Sequence, residues 1–253
     1  MINKTFQGSL QVREFETRSE MGEAAAQSVI LTIKNLLEEK DYVNMVFASA
    51  PSQNEFLTGL VAAEDVDWSR INAFHMDEYI GLASKHPQTF ANFLREKLFN
   101  LLPFNHVYYI NGNNENPLGE CERYTELLKM KSIDIVCMGI GENNHIAFND
   151  PHVANFSDSQ LVKIVDLDDD SRQQQVNDGC FASIGEVPTH ALTLTIPALM
   201  NADYIYCIVP GKNKARAIFH TLKDDISTRY PSTVLRTHPN ATLFIDKDSA
   251  SLL

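Results

Sequence analysis

The chain has 253 residues, of which 44% are hydrophobic and 21% charged, so it has enough apolar material for a sizeable core and too little charge for a disordered protein. Thirty-three acidic against 21 basic residues give a net charge of −12, which opposes binding to the phosphate backbone of a nucleic acid. The composition therefore excludes a disordered chain and argues against a nucleic-acid partner.

Membrane and disulfide signals are lacking as well. No stretch reaches the roughly 18 apolar residues that a membrane span needs, and the N-terminal sequence has no apolar core of a signal peptide. The cysteines form no CxxC pair and mostly have apolar neighbours; they are Cys121, Cys137, Cys180 and Cys207. We expect buried thiols, no membrane partner and a cytoplasmic location.

The first predicted helix begins at Thr17, which can form a capping box with Glu20. A short apolar run at residues 43–50 then predicts a strand. Ser52 and Glu55 repeat the capping-box pattern, which predicts that a second helix begins there. This order of helix, strand, turn and helix is typical of an α/β protein.

The alternation continues to the end of the chain. We expect strands at residues 71–75, 107–110, 133–138, 161–165, 192–196, 204–209 and 242–245, and helices at residues 88–102, 117–130 and 213–222. This pattern favours a mostly parallel sheet flanked by helices. The acidic segment 166–170 is interpreted as a solvated helix start. Because no repeat, low-complexity tract or Gly/Ser linker interrupts residues 1–253, we expect a single domain.

Ligands of open parallel sheets bind beyond the carboxyl ends of the strands, so the loops that follow strands are candidate sites. Ser49, Ser52 and Gln53 lie between a strand and a helix N-terminus, which is a favourable place for a phosphate. Lys212 and Lys214 follow a later strand and would add positive charge. The alternatives are an ordinary helix cap at Ser52 and solvated lysines.

Asp77 and Glu78 are adjacent acids directly after the strand at residues 71–75. Neighbouring side chains of an extended segment point to opposite sides, so one acid can face the crevice while the other turns away. The acid that faces the crevice is a candidate general base; the alternative is a pair of ordinary surface acids.

Residues 139–151 read Gly-Ile-Gly-Glu-Asn-Asn-His-Ile-Ala-Phe-Asn-Asp-Pro. Two glycines permit tight turns ahead of His145, and Asp150 follows shortly afterwards, as in a catalytic loop. The loop lacks the third glycine and the helix of a dinucleotide fingerprint. A metal site at His145, Asp150 and His152 is disfavoured because the spacing matches no standard zinc pattern, and a structural loop histidine is another alternative.

Residues 76–82, Met-Asp-Glu-Tyr-Ile-Gly-Leu, and the loop at 139–151 resemble the two signatures of the glucosamine-6-phosphate deaminase (isomerase) family. The similarity runs from Asn44 to Ile218 and includes Val-Pro-Gly-Lys-Asn-Lys-Ala at residues 209–215. It implies a Rossmann-like fold and the conversion of D-glucosamine 6-phosphate and water to D-fructose 6-phosphate and ammonium, without a metal or an organic cofactor. The family has monomeric and hexameric members, so the resemblance also allows a homo-oligomer.

The resemblance also implies roles for individual residues. Asp77 matches the family's base, which takes a proton from C2 and delivers it to C1. His145 matches the ring-opening histidine, and Asp150 matches the acid that orients it, although this acid is usually a glutamate. Asn143 and Asn144 replace the usual Asp-Gly before the histidine, so the ring-opening relay is altered.

The phosphate loop departs further from the family. Ala-Pro-Ser-Gln at residues 50–53 replaces the usual Thr-Gly-Gly-Thr or Ser, and Asn177 stands where a phosphate-binding arginine is expected. Lys214 matches the family's phosphate lysine, and Arg172 is a candidate substitute for the arginine, unless it is a surface residue of a polar helix. The expected phosphate ligands are Ser49, Ser52, Gln53, Lys214 and Arg172.

Three other functions stay open at this point. Galactosamine 6-phosphate is an alternative substrate, because the contacts that read the stereochemistry at C4 are not visible in the sequence. A 6-phosphogluconolactonase would share the sheet and a similar glycine-histidine loop, although the Phe-Asn-Asp and Asp-Glu-Tyr segments favour the deaminase. The altered relay also allows a sensor that binds a sugar phosphate without catalysis.

Overall fold

Strands and helices alternate along the computed structural model, which describes residues 1–253. The strands are β1 (Asn3–Gln7), β2 (Leu10–Phe15), β3 (Val43–Phe47), β4 (Ile71–His75), β5 (Asp77–Tyr79), β6 (His106–Tyr108), β7 (Ile135–Met138), β8 (Val162–Asp166), β9 (His190–Leu194), β10 (Tyr204–Val209) and β11 (Ala241–Asp246). The α-helices are α1 (Arg18–Glu39), α2 (Asn54–Val61), α3 (Phe90–Leu94), α4 (Pro117–Met130), α5 (Asp169–Asn177), α6 (Ile196–Met200) and α7 (Ala215–Lys223).

Eight strands form the main sheet, in the order β1-β2-β11-β10-β7-β3-β4-β6. All neighbouring pairs are parallel except β1 and β2, so the prediction of a mostly parallel α/β sheet is confirmed. Alternate residues of the central strands face opposite layers: Met45 and Phe47 pack with α1 and α2, whereas Val46 packs in the layer that contains α4 and α7. No helix combines the length and apolar content that crossing a bilayer requires.

A second sheet consists of β5, β9 and β8, all paired antiparallel. The sequence predicted strands near β8 and β9 but not their separate sheet. Three strands were not predicted: β1, β2 and β5. The segment β5 is short and acidic and every residue of β1 is exposed, so neither has an apolar alternation, whereas β2 buries Leu10, Val12 and Phe15 and was missed. The pairing of β5 with β9 places Asp77 opposite Thr193, at the end of the main sheet.

The two predicted helix caps have different outcomes. Thr17 caps α1 as predicted, with its Oγ1 accepting the N–H of Glu20 at 3.2 Å. The predicted cap at Ser52 is wrong, because Ser52 lies inside a 3-10 turn, Pro51–Gln53, and α2 begins only at Asn54 without a side-chain cap bond. Proline favours the first position of a helical turn, so the turn already begins before Ser52.

The helix predicted at residues 88–102 is also shorter than expected. Thr89 caps α3, accepting the N–H of Asn92 at 3.3 Å, and a π-helical turn at Arg95–Phe99 ends it. By contrast, α4 and β10 have their predicted bounds.

Tyr124 of α4 is fully buried, and its hydroxyl forms hydrogen bonds with the backbone at the carboxyl end of β4. Its hydroxyl accepts the N–H of His75 at 3.1 Å and lies 3.0 Å from the carbonyl of His75 and 3.1 Å from that of Tyr108, to one of which it donates. One hydroxyl therefore holds the ends of β4 and β6 together, immediately before Asp77.

We expect Tyr124→Phe to lower the free energy of unfolding by about 1–3 kcal/mol, because the change leaves a buried N–H and a buried carbonyl without a partner. Thermal or urea unfolding measures this loss. Tyr42→Phe, at a half-exposed tyrosine, serves as the control and should be neutral. Equal stability of the two variants would contradict a structural role of the Tyr124 hydroxyl.

Candidate active site

A cavity that opens to solvent lies at the carboxyl ends of the central parallel strands, and its space, including the open mouth, is about 490 Å³. Four of the segments that line the cavity directly follow strands of the main sheet, as parallel sheets generally arrange their sites, and α3 and α5 add further residues. Five residues predicted from the sequence line it: Ser49, Ser52, Asp77, His145 and Lys214.

Asp77 and Glu78 take opposite orientations at the end of β4. Asp77 lines the cavity and is buried. Glu78 turns away from the cavity, and its carboxylate accepts the N–H groups of Tyr79 at 2.9 Å, Phe90 at 3.0 Å and Ala91 at 2.9 Å. Glu78 therefore satisfies the N-terminus of α3, and Asp77 is the acid that can meet a ligand.

The backbone of Asp77 is fixed by a neutral histidine. Burial lowers the pKa of His75 to about 4. Its Nε2 accepts the N–H of Ile110 at 2.9 Å, so Nδ1 carries the proton and donates to the carbonyl of Asp77 at 2.9 Å. Burial, and secondly the adjacent Glu78, raises the pKa of the Asp77 carboxyl well above its usual range, as expected of a general base that works near neutral pH.

The loop that carries His145 has an unusual backbone. Asn144 and Ala147 have φ angles of 70° and 46°, in the left-handed region, which asparagine tolerates better than most residues. The Asn144 amide donates to the carbonyl of Ala217 at 2.7 Å and to Oγ of Ser232 at 2.9 Å. Asn144 can therefore occupy the usual glycine position and also anchor the loop to α7.

The imidazole of His145 packs against Gly141, where an added Cβ would lie 2.2 Å from the ring, so only glycine fits. Its Nδ1 lies 2.7 Å from Oδ1 of Asn143, 2.8 Å from Oγ of Ser171 and 3.1 Å from Oδ1 of Asp150. All polar contacts of the ring thus run through Nδ1, which leaves Nε2 available to a molecule in the cavity.

Asp150 is completely buried behind His145. Burial raises the pKa of this carboxyl, but hydrogen bonds from His145, Ser171 and Asn143 and the charge of a protonated His145 outweigh burial and bring the pKa to about 2. Asp150 is therefore ionised at neutral pH, directly beside the imidazole.

Two residues of this network, Asp168 and Ser171, were not identified from the sequence. Asp168 caps α5, accepting the N–H of Ser171 at 2.7 Å, and its Oδ2 accepts from Nδ2 of Asn143 at 3.0 Å. The interpretation of residues 166–170 as solvated holds for Asp169 and Asp170 but is wrong for Asp168, because β8 leads the chain back to the His145 loop. An Asp-x-x-Ser cap pattern was the only available signal.

Lys214 also lines the cavity and is buried. Burial lowers the pKa of its amino group, against the charges of Asp178 and Glu142. Ser49 Oγ is buried without a hydrogen-bond partner. Gln53 does not line the cavity; its Nε2 donates to Oγ of Ser52 at 3.1 Å and to a main-chain carbonyl of β10, so it supports Ser52 from behind.

Helix α5 contributes Gln174 and Gln175 to the cavity, and neither was predicted from the sequence. Asn177 is exposed and does not line the cavity. The assignment of Arg172 as a phosphate ligand is corrected, because its guanidinium donates to the carbonyl of Ile184 at 2.7 Å. Arg172 is also absent from the lining of the cavity.

The three residues of the metal alternative are not brought together. Asp150, His152 and Asp168 have ligand atoms within 4.8 Å of one another, but His145 is not part of that cluster. The Asp150 carboxylate already accepts hydrogen bonds from Ser171 and from the N–H of Asp168.

Residues 16–244 match the family model described as Glucosamine-6-phosphate isomerases/6-phosphogluconolactonase. A protein from Listeria monocytogenes serotype 4a (strain HCC23), named glucosamine-6-phosphate deaminase, is 36% identical over 211 residues, 83% of this chain and 88% of that protein. A protein of the same name from Lysinibacillus sphaericus is 37% identical over 192 residues, 76% of this chain and 85% of that protein.

Two solved structures are similar over nearly the whole chain. A monomeric glucosamine-6-phosphate deaminase superposes with a TM-score of 0.88 at 30% identity, covering 96% of this chain and 99% of that chain. A 6-phosphogluconolactonase from Thermotoga maritima has a TM-score of 0.75 at 23% identity, covering 93% of this chain and 99% of that chain, which shows a shared fold. The chain therefore belongs to the family of glucosamine-6-phosphate isomerases and 6-phosphogluconolactonases.

Proposed function

We propose that this protein is a glucosamine-6-phosphate deaminase, which converts D-glucosamine 6-phosphate and water to D-fructose 6-phosphate and ammonium. The observation that carries the proposal is one cavity with the Asp77 carboxyl, the available Nε2 of His145 and the buried amino group of Lys214. These three groups supply the base, the ring-opening group and the phosphate cation that the reaction needs. The relatives that bear this name support the assignment.

Ring opening comes first. The C1–O5 bond breaks as the C1 hydroxyl loses its proton and O5 gains one, which yields the open-chain aldehyde. We assign this proton transfer to Nε2 of His145, because Nδ1 is occupied by Asn143, Ser171 and Asp150. The ionised Asp150 stabilises the positive charge that the imidazole acquires when it takes up the proton.

Isomerisation and deamination follow. Asp77 removes the proton from C2 while the ammonium group at C2 gives one of its protons to the C1 oxygen, which yields an enolamine. The same carboxyl then delivers its proton to C1, leaving an iminium group at C2. Water adds to this carbon and ammonium leaves, which gives the ketone. The raised pKa of Asp77 lets the carboxyl hold the proton between the two carbons.

The phosphate occupies the other end of the cavity in this proposal. Lys214 provides the positive charge, and the hydroxyls of Ser49 and Ser52 and the amide of Gln175 provide further donors. The unpartnered Oγ of Ser49 is free to donate to a phosphate oxygen.

We propose the monomer as the catalytic unit, because the similar deaminase that superposes over nearly the whole chain is monomeric. We also place the reaction in the cytoplasm. All four cysteines are free thiols, as expected in a reducing compartment.

The protein should release ammonium from glucosamine 6-phosphate and leave 6-phosphogluconolactone unhydrolysed. We expect Asp77→Asn to lower kcat by about 10²–10⁴-fold, because the amide cannot carry the C2 proton. Binding of the sugar phosphate, measured by calorimetry, should persist. Exposed Asp170→Asn is the matched control. Near-normal turnover by Asp77→Asn, or lactone hydrolysis by the wild type, would refute the assignment.

Lys214→Ala should raise KM by about ten- to a hundred-fold, the value of a charged hydrogen bond to phosphate. Lys212→Ala is the matched control, because Lys212 is exposed in the same turn and should bind no substrate. Inorganic phosphate should compete with the substrate, and free glucosamine should be a very poor substrate. Equal activity on phosphorylated and free glucosamine would contradict a phosphate site.

Glu78→Gln should move the acidic limb of the kcat/KM profile to lower pH. Burial raises the pKa of Asp77 first and the Glu78 charge second, so removal of the charge lowers that pKa and the base ionises earlier as pH rises. The free substrate's phosphate has the same pKa in both experiments. A difference between the two kcat/KM profiles therefore comes from ionisation of the enzyme. A limb that stays in place or moves upward would exclude Asp77 as the titrating base.

A further inference from the structure

The Asn143 amide lies between two carboxylates and the His145 imidazole. Its Nδ2 donates to Asp168 Oδ2 at 3.0 Å and to Asp150 Oδ1 at 3.1 Å. Its Oδ1 accepts from the backbone N–H of His145 at 3.1 Å and lies 2.7 Å from Nδ1 of the same residue. Both ends of the amide therefore have specific partners.

Only one orientation of this amide is compatible with those partners. Ionised carboxylates accept hydrogen bonds and do not donate, so the NH₂ group must face Asp150 and Asp168. A flipped amide would also point its NH₂ group at the backbone N–H of His145, which is another donor. The oxygen must therefore face Nδ1 of His145, and an amide oxygen can only accept.

We propose that Asp168 is a positioning residue for the ring-opening step, acting through Asn143 on His145. Its carboxylate fixes the amide, the amide oxygen keeps the proton of the neutral imidazole on Nδ1, and the lone pair of Nε2 faces the substrate. Relatives usually have a negative charge at position 143. In this chain the charge is on Asp168, which contacts Asn143 and reaches His145 only through it. This inference rests on the proposed function for its kinetic consequences, but the tautomer itself does not depend on the substrate.

Asp168→Asn separates positioning from helix capping. Asparagine caps helices as well as aspartate does, so the bond to the N–H of Ser171 can persist. The new side chain has no negative charge, and with its oxygen bound to Ser171 it turns an NH₂ group toward Nδ2 of Asn143. Two donors then face each other, so the amide of Asn143 no longer has a fixed orientation. We expect kcat to fall by about ten- to a hundred-fold, because groups that hold a functional histidine in its required tautomer contribute on this order. KM should change little, because the phosphate binds elsewhere.

Asp170→Asn is the matched control, because it removes the same charge from the first turn of α5 at an exposed side chain. It should leave kcat and KM unchanged. Loss of kcat in both variants alike would indicate a general charge effect on the helix and would overturn the positioning role.

The double variant Asn143→Asp/Asp168→Asn tests whether the charge can be moved back. Asn143→Asp alone places three carboxylates in contact and should also lower kcat. In the double variant, the amide at position 168 can donate to the carboxylate at position 143, so kcat should exceed that of both single variants. Because the double variant carries the same change at position 168, its recovery also excludes misfolding as the cause of the single loss. Additive losses would overturn the proposal.

The tautomer can be observed without any substrate. Two-dimensional ¹⁵N–¹H spectra of the imidazole groups, with the His145 signals assigned through His145→Gln, should show the neutral ring protonated on Nδ1 in the wild type. Asp168→Asn should show a mixture of tautomers, and Asp170→Asn the wild-type form. A wild-type ring protonated on Nε2, or an unchanged tautomer in Asp168→Asn, would overturn the inference. Absence of deaminase activity with the expected tautomer would refute only the proposed function.

Discussion

Burying a carboxylate removes it from water, and hydrogen bonds offset part of this cost for Glu78, whose pKa burial still raises to about 7, but none of it for Asp77. Three backbone N–H groups replace the water around Glu78, and two of them, from Phe90 and Ala91, belong to the first turn of α3. Asp77, one residue earlier, faces the cavity without such partners. Of these two adjacent acids, Glu78 therefore stabilises the fold and Asp77 remains available to a ligand. The pKa of Asp77 is raised because burial removes its carboxylate from water without supplying such donors.

The proton-transfer chemistry also requires that the Asp77 side chain can move while its backbone does not. His75 and Tyr124 provide the fixed backbone: the imidazole binds the carbonyl of Asp77, and the tyrosine hydroxyl binds the N–H of His75. Both groups are buried and neutral at pH 7, so this support does not depend on pH in the range where Asp77 ionises. With its backbone held in this way, the carboxyl group of Asp77 can rotate between two neighbouring carbons of a ligand without displacement of the strand.

The sequence predicted those parts of the site that lie in one segment directly after a strand. The loop at residues 139–151 and Asp77 belong to this class, because the carboxyl ends of parallel strands meet at one edge. The contact of Asn143 with Asp168 spans 25 residues and depends on the antiparallel sheet that β5 joins. Strands near β8 and β9 were predicted, but their pairing with β5 has no sequence signal, because β5 has three residues and no apolar alternation. Arg172 was misassigned for a related reason: composition indicates a polar helix but not which face of the helix turns toward the cavity.

Burial shifts the pKa values of two residues that line the cavity, Lys214 and Asp77, in opposite directions. Burial lowers the pKa of the lysine and raises that of the aspartate, so in each case burial disfavours the charged form. In the proposed complex, a phosphate dianion beside Lys214 stabilises the ammonium form that burial disfavours. Lys214 is the one lysine or arginine among the lining residues, and Gln174 and Gln175 add only amide groups. A sugar without a phosphate offers no such charge, so in this proposal the discrimination between phosphorylated and free sugars depends on the same burial that raises the pKa of Asp77.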